Sequence, residues 1–265
     1  MITLRRSEER GHAHHGWLDS YHSFSFSHYY DPEHMGYSVL RVINEDVVAA
    51  AQGFGMHPHR DMEIVTYMLK GAIRHQDSLG NGSVIKAGDV QRMTAGTGIV
   101  HSEFNASEVE DAHLLQIWLL PERDGLTPGY EEKRFDAADK RDQWKLIASR
   151  GGRGGSLHIN QDVDLYASII SAGVSLSYEA RPQRSLYLQV ARGSLRLNDE
   201  VLEAGDAAKV DDLQSVSLQA LDANQQQVGP TVTSLTMSNF ADQQLRVCGL
   251  VSMVLGLLLL YAVRS

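Results

Sequence analysis

The stretch Val65–Gly71 (VTYMLKG), followed by a hairpin and then by Lys86–Val90 (KAGDV), recurs in outline further along the chain. The second copy reads Leu186–Gly193 (LYLQVARG) and, after another hairpin, Glu203–Ala207 (EAGDA). Each copy is an apolar strand that ends in glycine and is followed later by a small residue and Gly-Asp. Because these features come in the same order in both copies, the repeat predicts two β-barrels in tandem.

Short apolar runs separated by turn-forming residues fill most of the sequence. They are rich in β-branched and aromatic residues, as strands are; examples are Glu63–Leu69, Leu114–Leu120 and Leu165–Ile170. Gly80–Gly82 (GNG) predicts a hairpin turn. Long amphipathic helical patterns are scarce, and Glu131–Lys145 is expected to hold a short helix or an irregular connector. The main body is therefore predicted to be all-β.

Composition excludes several classes of protein. The chain has 265 residues, of which 43% are hydrophobic and 22% charged, as in an ordinary globular protein. The net charge of −9 argues against direct nucleic-acid binding and favours protein partners. Cys248 is the single cysteine, so an internal disulfide is excluded. The first residues lack the apolar run of a signal peptide, which makes the cytoplasm the expected compartment.

Two potential metal ligands precede the first copy of the repeat, and two follow it. His57 and His59 lie in the stretch Gly55–Glu63 (GMHPHRDME), and His101 and Glu103 lie further on. Residues i and i+2 of a β-strand point to the same face, so each pair can hold one ion from one strand. Three imidazoles and one carboxylate suit Fe(II), Mn(II), Ni(II), Co(II), Cu(II) or Zn(II).

The second copy lacks these ligand types. Counting the same distances from its glycines leads to Glu179, Arg181, Leu218 and Ala220. We therefore expect one barrel to bind metal and the other to be mainly structural. The glycine-rich stretch Gly151–Gly155 lies between the copies and is expected to be a flexible linker.

Taken together, these motifs resemble the pirin family of bicupin proteins. The resemblance covers roughly residues 1–223. It is carried by His15–Phe26 (HGWLDSYHSFSF), His57–Glu63 (HPHRDME), Gly88–Glu103 (GDVQRMTAGTGIVHSE), Pro128–Glu131 (PGYE) and His158–Asp162 (HINQD). It implies two tandem cupin barrels. Residue by residue, it places the metal ligands on His57, His59, His101 and Glu103, in agreement with the strand spacing.

The carboxylate ligand has two candidates. In the cupin superfamily the glutamate of the first motif often binds the metal, and that position is Glu63. Pirins instead use the glutamate two residues after the third histidine, which is Glu103. Because Glu103 shares a strand face with His101, the spacing favours Glu103.

The repeat and the resemblance together divide the chain into four parts. They are an N-terminal metal-binding cupin (1–125), a connector (126–160), a degenerate C-terminal cupin (161–223), and a polar linker with an apolar tail (224–265). The tail departs from the pirin pattern, which normally ends in a short strand rich in Leu and Phe.

Residues 247–263 form an uncharged apolar run that is expected to be a helix, between Arg246 and Arg264. A helix of that length extends roughly 26 Å, which is short for a bilayer core of about 30 Å. Three interpretations remain open: a membrane anchor, a helix packed on the barrel or on a partner, and a reading-frame change.

Resemblance to bacterial pirins implies a quercetin 2,3-dioxygenase. We expect one divalent metal ion, Fe(II) first, with Mn, Ni, Co, Cu or Zn as alternatives. The substrates would be a flavonol and O2, with carbon monoxide released and Glu103 acting as the base. The alternative is a non-enzymatic, iron-dependent redox regulator that binds a transcription factor or a metabolic enzyme.

Overall fold

The computed structural model describes residues 1–180, 183–212 and 215–221 and the backbone of 231–238. The strands of the first half are β1 (Ile2–Arg5), β2 (Gly11–His14), β3 (Leu18–His22), β4 (Leu40–Val48), β5 (Gly53–His59), β6 (Glu63–Lys70), β7 (Ala72–Asp77), β8 (Gly82–Lys86), β9 (Asp89–Thr94), β10 (Ile99–Asn105), β11 (Ala112–Leu119) and β12 (Gly129–Arg134). The short helix α1 (Ala137–Lys140) follows. The remaining strands are β13 (Lys145–Arg150), β14 (Leu157–Ile159), β15 (Val163–Ile169), β16 (Ser175–Glu179), β17 (Arg184–Arg192), β18 (Ser194–Leu197), β19 (Glu200–Glu203), β20 (Ala207–Val210), β21 (Ser215–Ala220) and β22 (Thr231–Ser238).

These strands build two barrels, each from a seven-stranded and a four-stranded sheet. The first barrel has the strand orders β12-β9-β6-β11-β4-β3-β2 and β5-β10-β7-β8. The second has β1-β20-β17-β22-β15-β13-β14 and β16-β21-β18-β19. The two copies of the repeat occupy matching places, with β6 and β17 third in their sheets and β9 and β20 second. The predicted all-β, two-barrel cupin architecture is confirmed.

The edge strands do not follow the order of the sequence. Strand β1 pairs with β20, so the first residues of the chain belong to the second barrel. Strand β12, from the expected connector 126–160, pairs with β9 and closes the large sheet of the first barrel. Gly151–Gly155 joins β13 to the parallel strand β14 within one sheet, so it does not link the barrels as expected.

The region expected to be a polar linker and apolar tail, 224–265, contains strand β22. This strand lies between β15 and β17 and pairs with both, which is the place that β11 holds in the first barrel. The expected helix over 247–263 lies outside the described residues. Among the residues that the structure describes, no helix combines the length and the apolar character needed to cross a membrane.

The core explains why the apolar runs do not alternate with polar residues. On β6, Val65 and Tyr67 pack in a cluster shared by both barrels, while Ile64 and Met68 pack inside the first barrel. On β17, Tyr187 joins the shared cluster, and its neighbours on the other face line the interior of the second barrel. Strands buried on both faces are mainly apolar, and the apolar surface buried between the barrels holds them together.

Candidate metal centre

Strands β5 and β10 run antiparallel and bring the predicted ligands to one place. His101 lies opposite His57, and β5 carries one extra residue between this pair and the pair Glu103 and Phe54. The ligand atoms of His57, His59 and His101 all lie within 4.8 Å of one another. Glu103 is not part of that group, although it follows His101 by two positions on β10. The structure thus gathers three of the four predicted ligands closely.

Each of the three imidazoles can present a nitrogen to a metal ion. Nδ1 of His57 lies 2.7 Å from the carbonyl oxygen of Gly55, which can only accept, so Nδ1 donates and Nε2 is the nitrogen left to face a metal ion. Burial, followed by the neighbouring imidazoles, lowers the pKa of His59 to about 3. Burial likewise lowers the pKa of His101 to about 3. Neutral histidine is the form that coordinates a metal ion.

The buried atoms without a hydrogen-bond partner among the described residues include Nδ1 of His75 and the hydroxyl of Thr66. They also include Nε2 of His101 and Oε1 of Glu103. A buried polar atom without a partner is costly, and native proteins rarely keep one. A divalent cation held by the lone pairs of this nitrogen and this oxygen would remove both costs. The residues present therefore fit a divalent metal ion.

A chain of hydrogen bonds sets the orientation of the Glu103 carboxyl group. Nε1 of Trp118 donates to Oε1 of Gln116 at 3.2 Å, and Nε2 of Gln116 donates to Oε2 of Glu103 at 3.0 Å. Because the indole can only donate, it fixes which end of the Gln116 amide faces Glu103. Burial raises the pKa of Glu103, so this carboxyl group holds a proton more readily than an exposed one.

The other candidate carboxylate, Glu63, is occupied elsewhere. It begins β6, is fully buried, and accepts hydrogen bonds from the backbone N–H and the side-chain amide of Asn160, at 3.1 and 3.3 Å. Asn160 lies in the second half of the chain, next to β14. Glu63 therefore connects the two halves, and its carboxyl oxygens have partners other than the histidine group.

The sequence interpretation missed His75, which lies on β7 beside β10. Its Nε2 is 3.1 Å from Nδ1 of His101, and its ring is completely buried. Tyr130 of β12 stacks on it with ring centroids 4.8 Å apart and an interplanar angle of 16°. The only local signal was the spacing of His75 and Asp77, a third i, i+2 pair of ligand-type residues.

Aromatic rings flank the histidines on one side. Trp118 of β11 makes an edge contact with His59, with centroids 4.9 Å apart. Phe26 in turn packs edge-on against Trp118 at 5.3 Å. Trp118 is only partly buried, so a flat aromatic surface is available next to the histidine group.

The corresponding positions in the second barrel follow from the strand register. Tyr178 lies opposite Val216 and Leu176 opposite Leu218 on β16 and β21, while Leu197 of β18 pairs with Leu218. Gly193 matches Gly71 in the repeat, so Leu197 matches His75. Through these pairings the counterparts of His57, His59, His101 and Glu103 are Tyr178, Ala180, Val216 and Leu218. The residues obtained by counting along the sequence, Glu179, Arg181, Leu218 and Ala220, are out of register by one or two positions, because the strands and connections between the repeat glycines and these positions differ in length between the two barrels. None of the four register counterparts is a common metal ligand in this setting.

Comparison with known proteins agrees with this architecture. A model of the pirin family matches residues 3–119, and a model of the quercetinase C-terminal cupin domain matches residues 146–226. A third model, described as an uncharacterized protein conserved in bacteria, matches residues 233–263.

Individual relatives match most of the chain. A quercetin 2,3-dioxygenase of Escherichia coli is 48% identical over 220 residues, which are 83% of this chain and 94% of the relative. A pirin-like protein of Caulobacter vibrioides is 40% identical over 223 residues, 84% and 96% of the two chains. The crystal structure of the bacterial pirin YhhW from E. coli, in complex with nickel(II), superposes with a TM-score of 0.84 at 44% identity and covers 90% of this chain and 99% of that one. With two matching barrels and relatives of this similarity along most of its length, the chain belongs to the pirin family.

Proposed function

We propose that this chain is a metal-dependent flavonol 2,3-dioxygenase of the quercetinase type. The ligands would be His57, His59, His101 and Glu103, holding one divalent ion. The observation that carries the proposal is that two buried atoms, Nε2 of His101 and Oε1 of Glu103, lack a partner beside the imidazoles of His57 and His59. The names of similar proteins, quercetin 2,3-dioxygenase and a pirin complex with nickel(II), support the activity and the divalent charge of the ion.

The reaction consumes one flavonol and one O2 and yields a depside and carbon monoxide. When bound, the ion supplies Lewis acidity that favours the ionised 3-hydroxyl of the flavonol. The aromatic surface of Trp118 and Phe26 offers a stacking partner for the flat rings of the substrate. These side chains would orient the flavonol while the buried surroundings exclude bulk water.

Glu103 would take the proton of the 3-hydroxyl onto Oε1 when this oxygen is not holding the ion. Its Oε1 has no protein partner, and its raised pKa makes it a better proton acceptor than an exposed glutamate. Gln116 continues to donate to Oε2, so the carboxyl group keeps its direction during the transfer. The proton would return when the product leaves.

The test is aerobic turnover of quercetin by the full chain. The protein is stripped with a chelator and reloaded separately with Fe(II), Mn(II), Ni(II), Co(II), Cu(II) and Zn(II). We expect at least one metal to give loss of flavonol absorbance with equal amounts of O2 consumed and carbon monoxide released. Glu103→Gln should abolish most turnover, because an amide cannot accept the proton.

Glu63→Gln is the matched control, since Glu63 is the other buried glutamate of the first barrel. It should keep metal and turnover, with a lower melting temperature from the weakened contact to Asn160. If no metal-loaded form consumes O2 with any flavonol, the dioxygenase proposal is wrong. A redox-dependent protein partner would then become the function to seek.

A further inference from the structure

His75 is a completely buried histidine that the proposed reaction does not use. We propose that it is a positioning residue, which orients His101 and fixes the tautomer in which His101 binds metal. The inference rests on the metal site proposed above. Its geometric basis is the distance of 3.1 Å between Nε2 of His75 and Nδ1 of His101.

The hydrogen-bonding capacity of imidazole determines the direction of this contact. Nε2 of His101 is buried and partnerless, which makes it the nitrogen available to a metal ion. Nδ1 of His101 then carries the ring proton and must donate, so Nε2 of His75 must accept. In this tautomer the ring proton of His75 lies on Nδ1, a buried atom without a hydrogen-bond partner among the described residues. A second nitrogen that donates in this way orients a metal-bound imidazole and increases its basicity.

The surroundings of His75 keep its ring in one orientation. Tyr130 stacks almost parallel to it, and the Tyr130 hydroxyl lies 2.6 Å from both Ser83 and Glu132. Tyr130 belongs to β12, which closes the large sheet, and Ser83 belongs to β8 of the small sheet. The two sheets of the first barrel thus hold Tyr130, and Tyr130 supports the plane of His75.

The second barrel provides an independent comparison. Leu197 occupies the position of His75, and Val216 occupies the position of His101, as the register of β18, β21 and β16 places them. Both are fully or almost fully buried in an apolar cluster. The barrel that lacks the ligand histidine therefore also lacks its hydrogen-bond partner.

The test measures metal affinity by competition with a chelator, with zinc as the probe. His75→Leu should bind zinc about 10–100-fold more weakly than the wild type, the usual cost of losing such a partner. His75→Gln should recover most of the affinity, because its amide oxygen can accept near the position of Nε2. The cobalt-loaded His75→Leu protein should also show a changed visible absorption spectrum, which a loss of stability alone would not produce.

His22→Leu is the matched control. His22 is buried in the same barrel, and its Nδ1 lies 2.9 Å from the Asn44 side-chain oxygen. This variant should lose stability but keep the zinc affinity of the wild type. Wild-type zinc affinity and an unchanged cobalt spectrum in His75→Leu would overturn the inference while leaving the metal site intact. A wild-type protein that binds no zinc or cobalt would overturn both.

If His75→Leu does not fold, a measurement on the wild type tests the proposed tautomers of His75 and His101 instead. Long-range ¹H–¹⁵N spectra of the zinc-loaded chain should show His101 protonated on Nδ1 and His75 protonated on Nδ1 only. A proton on Nε2 of His75, or zinc bound through Nδ1 of His101, would contradict the assigned roles.

Discussion

The two barrels share one strand order but differ in what fills their interiors. In the first barrel His101, Glu103 and His75 are buried on β10 and β7. In the second, the same register positions on β21 and β18 hold Val216, Leu218 and Leu197. Burying polar groups costs free energy unless they are paired, whereas burying aliphatic side chains stabilises the fold. We therefore expect the buried polar groups of the metal site to lower the stability of the first barrel. The aliphatic side chains at the same positions stabilise the second barrel and supply a packing surface.

The largest expected difference comes from truncating the same register position in both barrels. His101→Ala should weaken metal binding by more than the 100-fold upper range for an indirect partner, since a ligand is lost. Val216→Ala should keep the metal and lower the free energy of unfolding by about 1–3 kcal/mol, since it opens a cavity in the core. Metal analysis after dialysis and urea unfolding measure the two effects. Equal metal content in the two variants would contradict the assignment of the metal site to the first barrel.

Asp46 offers a second contrast, because the register places Ser168 at its position in the second barrel. Burial, with a smaller effect of the nearby Glu103 charge, raises the pKa of Asp46 to about 7. The native state therefore holds a proton that the unfolded chain releases from about pH 4 upward. Below pH 4 the raised pKa of Asp46 does not change the free energy of unfolding. Between pH 4 and pH 7 it lowers the free energy of unfolding by a growing amount, which reaches about 4 kcal/mol at most.

Asp46→Asn should remove this pH dependence, and its amide oxygen can still accept the hydrogen bond from Ser20. We expect the metal-free variant to be more stable than the metal-free wild type at pH 7 and nearly equal to it at pH 4. Urea unfolding at a series of pH values measures this. A constant difference between the two proteins from pH 4 to pH 7 would show that Asp46 is ionised in the folded state.

A smaller effect is expected at Gln116, which acts on the metal through Glu103. Gln116→Leu removes the donor to Oε2, so zinc affinity should fall by about 10-fold, the lower range for such a partner. Gln189→Leu is the matched control, because Gln189 is a buried glutamine of the second barrel that donates to backbone carbonyls. It should destabilise the protein without changing zinc affinity. A zinc affinity that falls equally in both variants would point to general loss of structure instead.

The smallest effect is expected at Trp118. Trp118→Phe keeps an aromatic ring beside His59 but removes the N–H that orients Gln116. The loss of one neutral hydrogen bond, about 1 kcal/mol, corresponds to roughly a 5-fold change in turnover. Trp144→Phe is the control, because Trp144 donates to the Ser177 carbonyl in the second half of the chain. Turnover that is unchanged in Trp118→Phe would mean that Gln116 keeps its orientation without the indole.

Local sequence pattern was sufficient to predict those elements whose residues are close together both in the sequence and in the fold. The apolar runs predicted as strands are β6, β11 and β15, and the GNG turn joins β7 to β8. In Glu131–Lys145 the expected short helix is α1, while the first residues of that stretch complete β12. The pairs His57 and His59, and His101 and Glu103, were recognisable because a strand repeats every two residues.

Pairings across long separations were not predictable in this way. Strand β1 joins a barrel whose other strands begin more than a hundred residues later, and β22 completes the same sheet from a region whose composition suggested a linker. Neither strand carries the repeat motif, and an edge strand or a polar strand has no distinctive local pattern. The positions of β1 and β22 in the sheet depend on which strands have unpaired backbone groups when the barrels form.

The all-β class, the tandem repeat, the family and the four candidate ligands were predictable from sequence, because each depends on spacing within one strand or on a contiguous motif. The folded structure was needed to show that Glu63 pairs with Asn160, that His75 contacts His101, and that the counterparts of the ligands in the second barrel include Tyr178 and Val216. These facts depend on strand register and bulges between segments far apart in the chain. A register shift of one residue moves every side chain to the opposite face, so only the folded pairing can settle them.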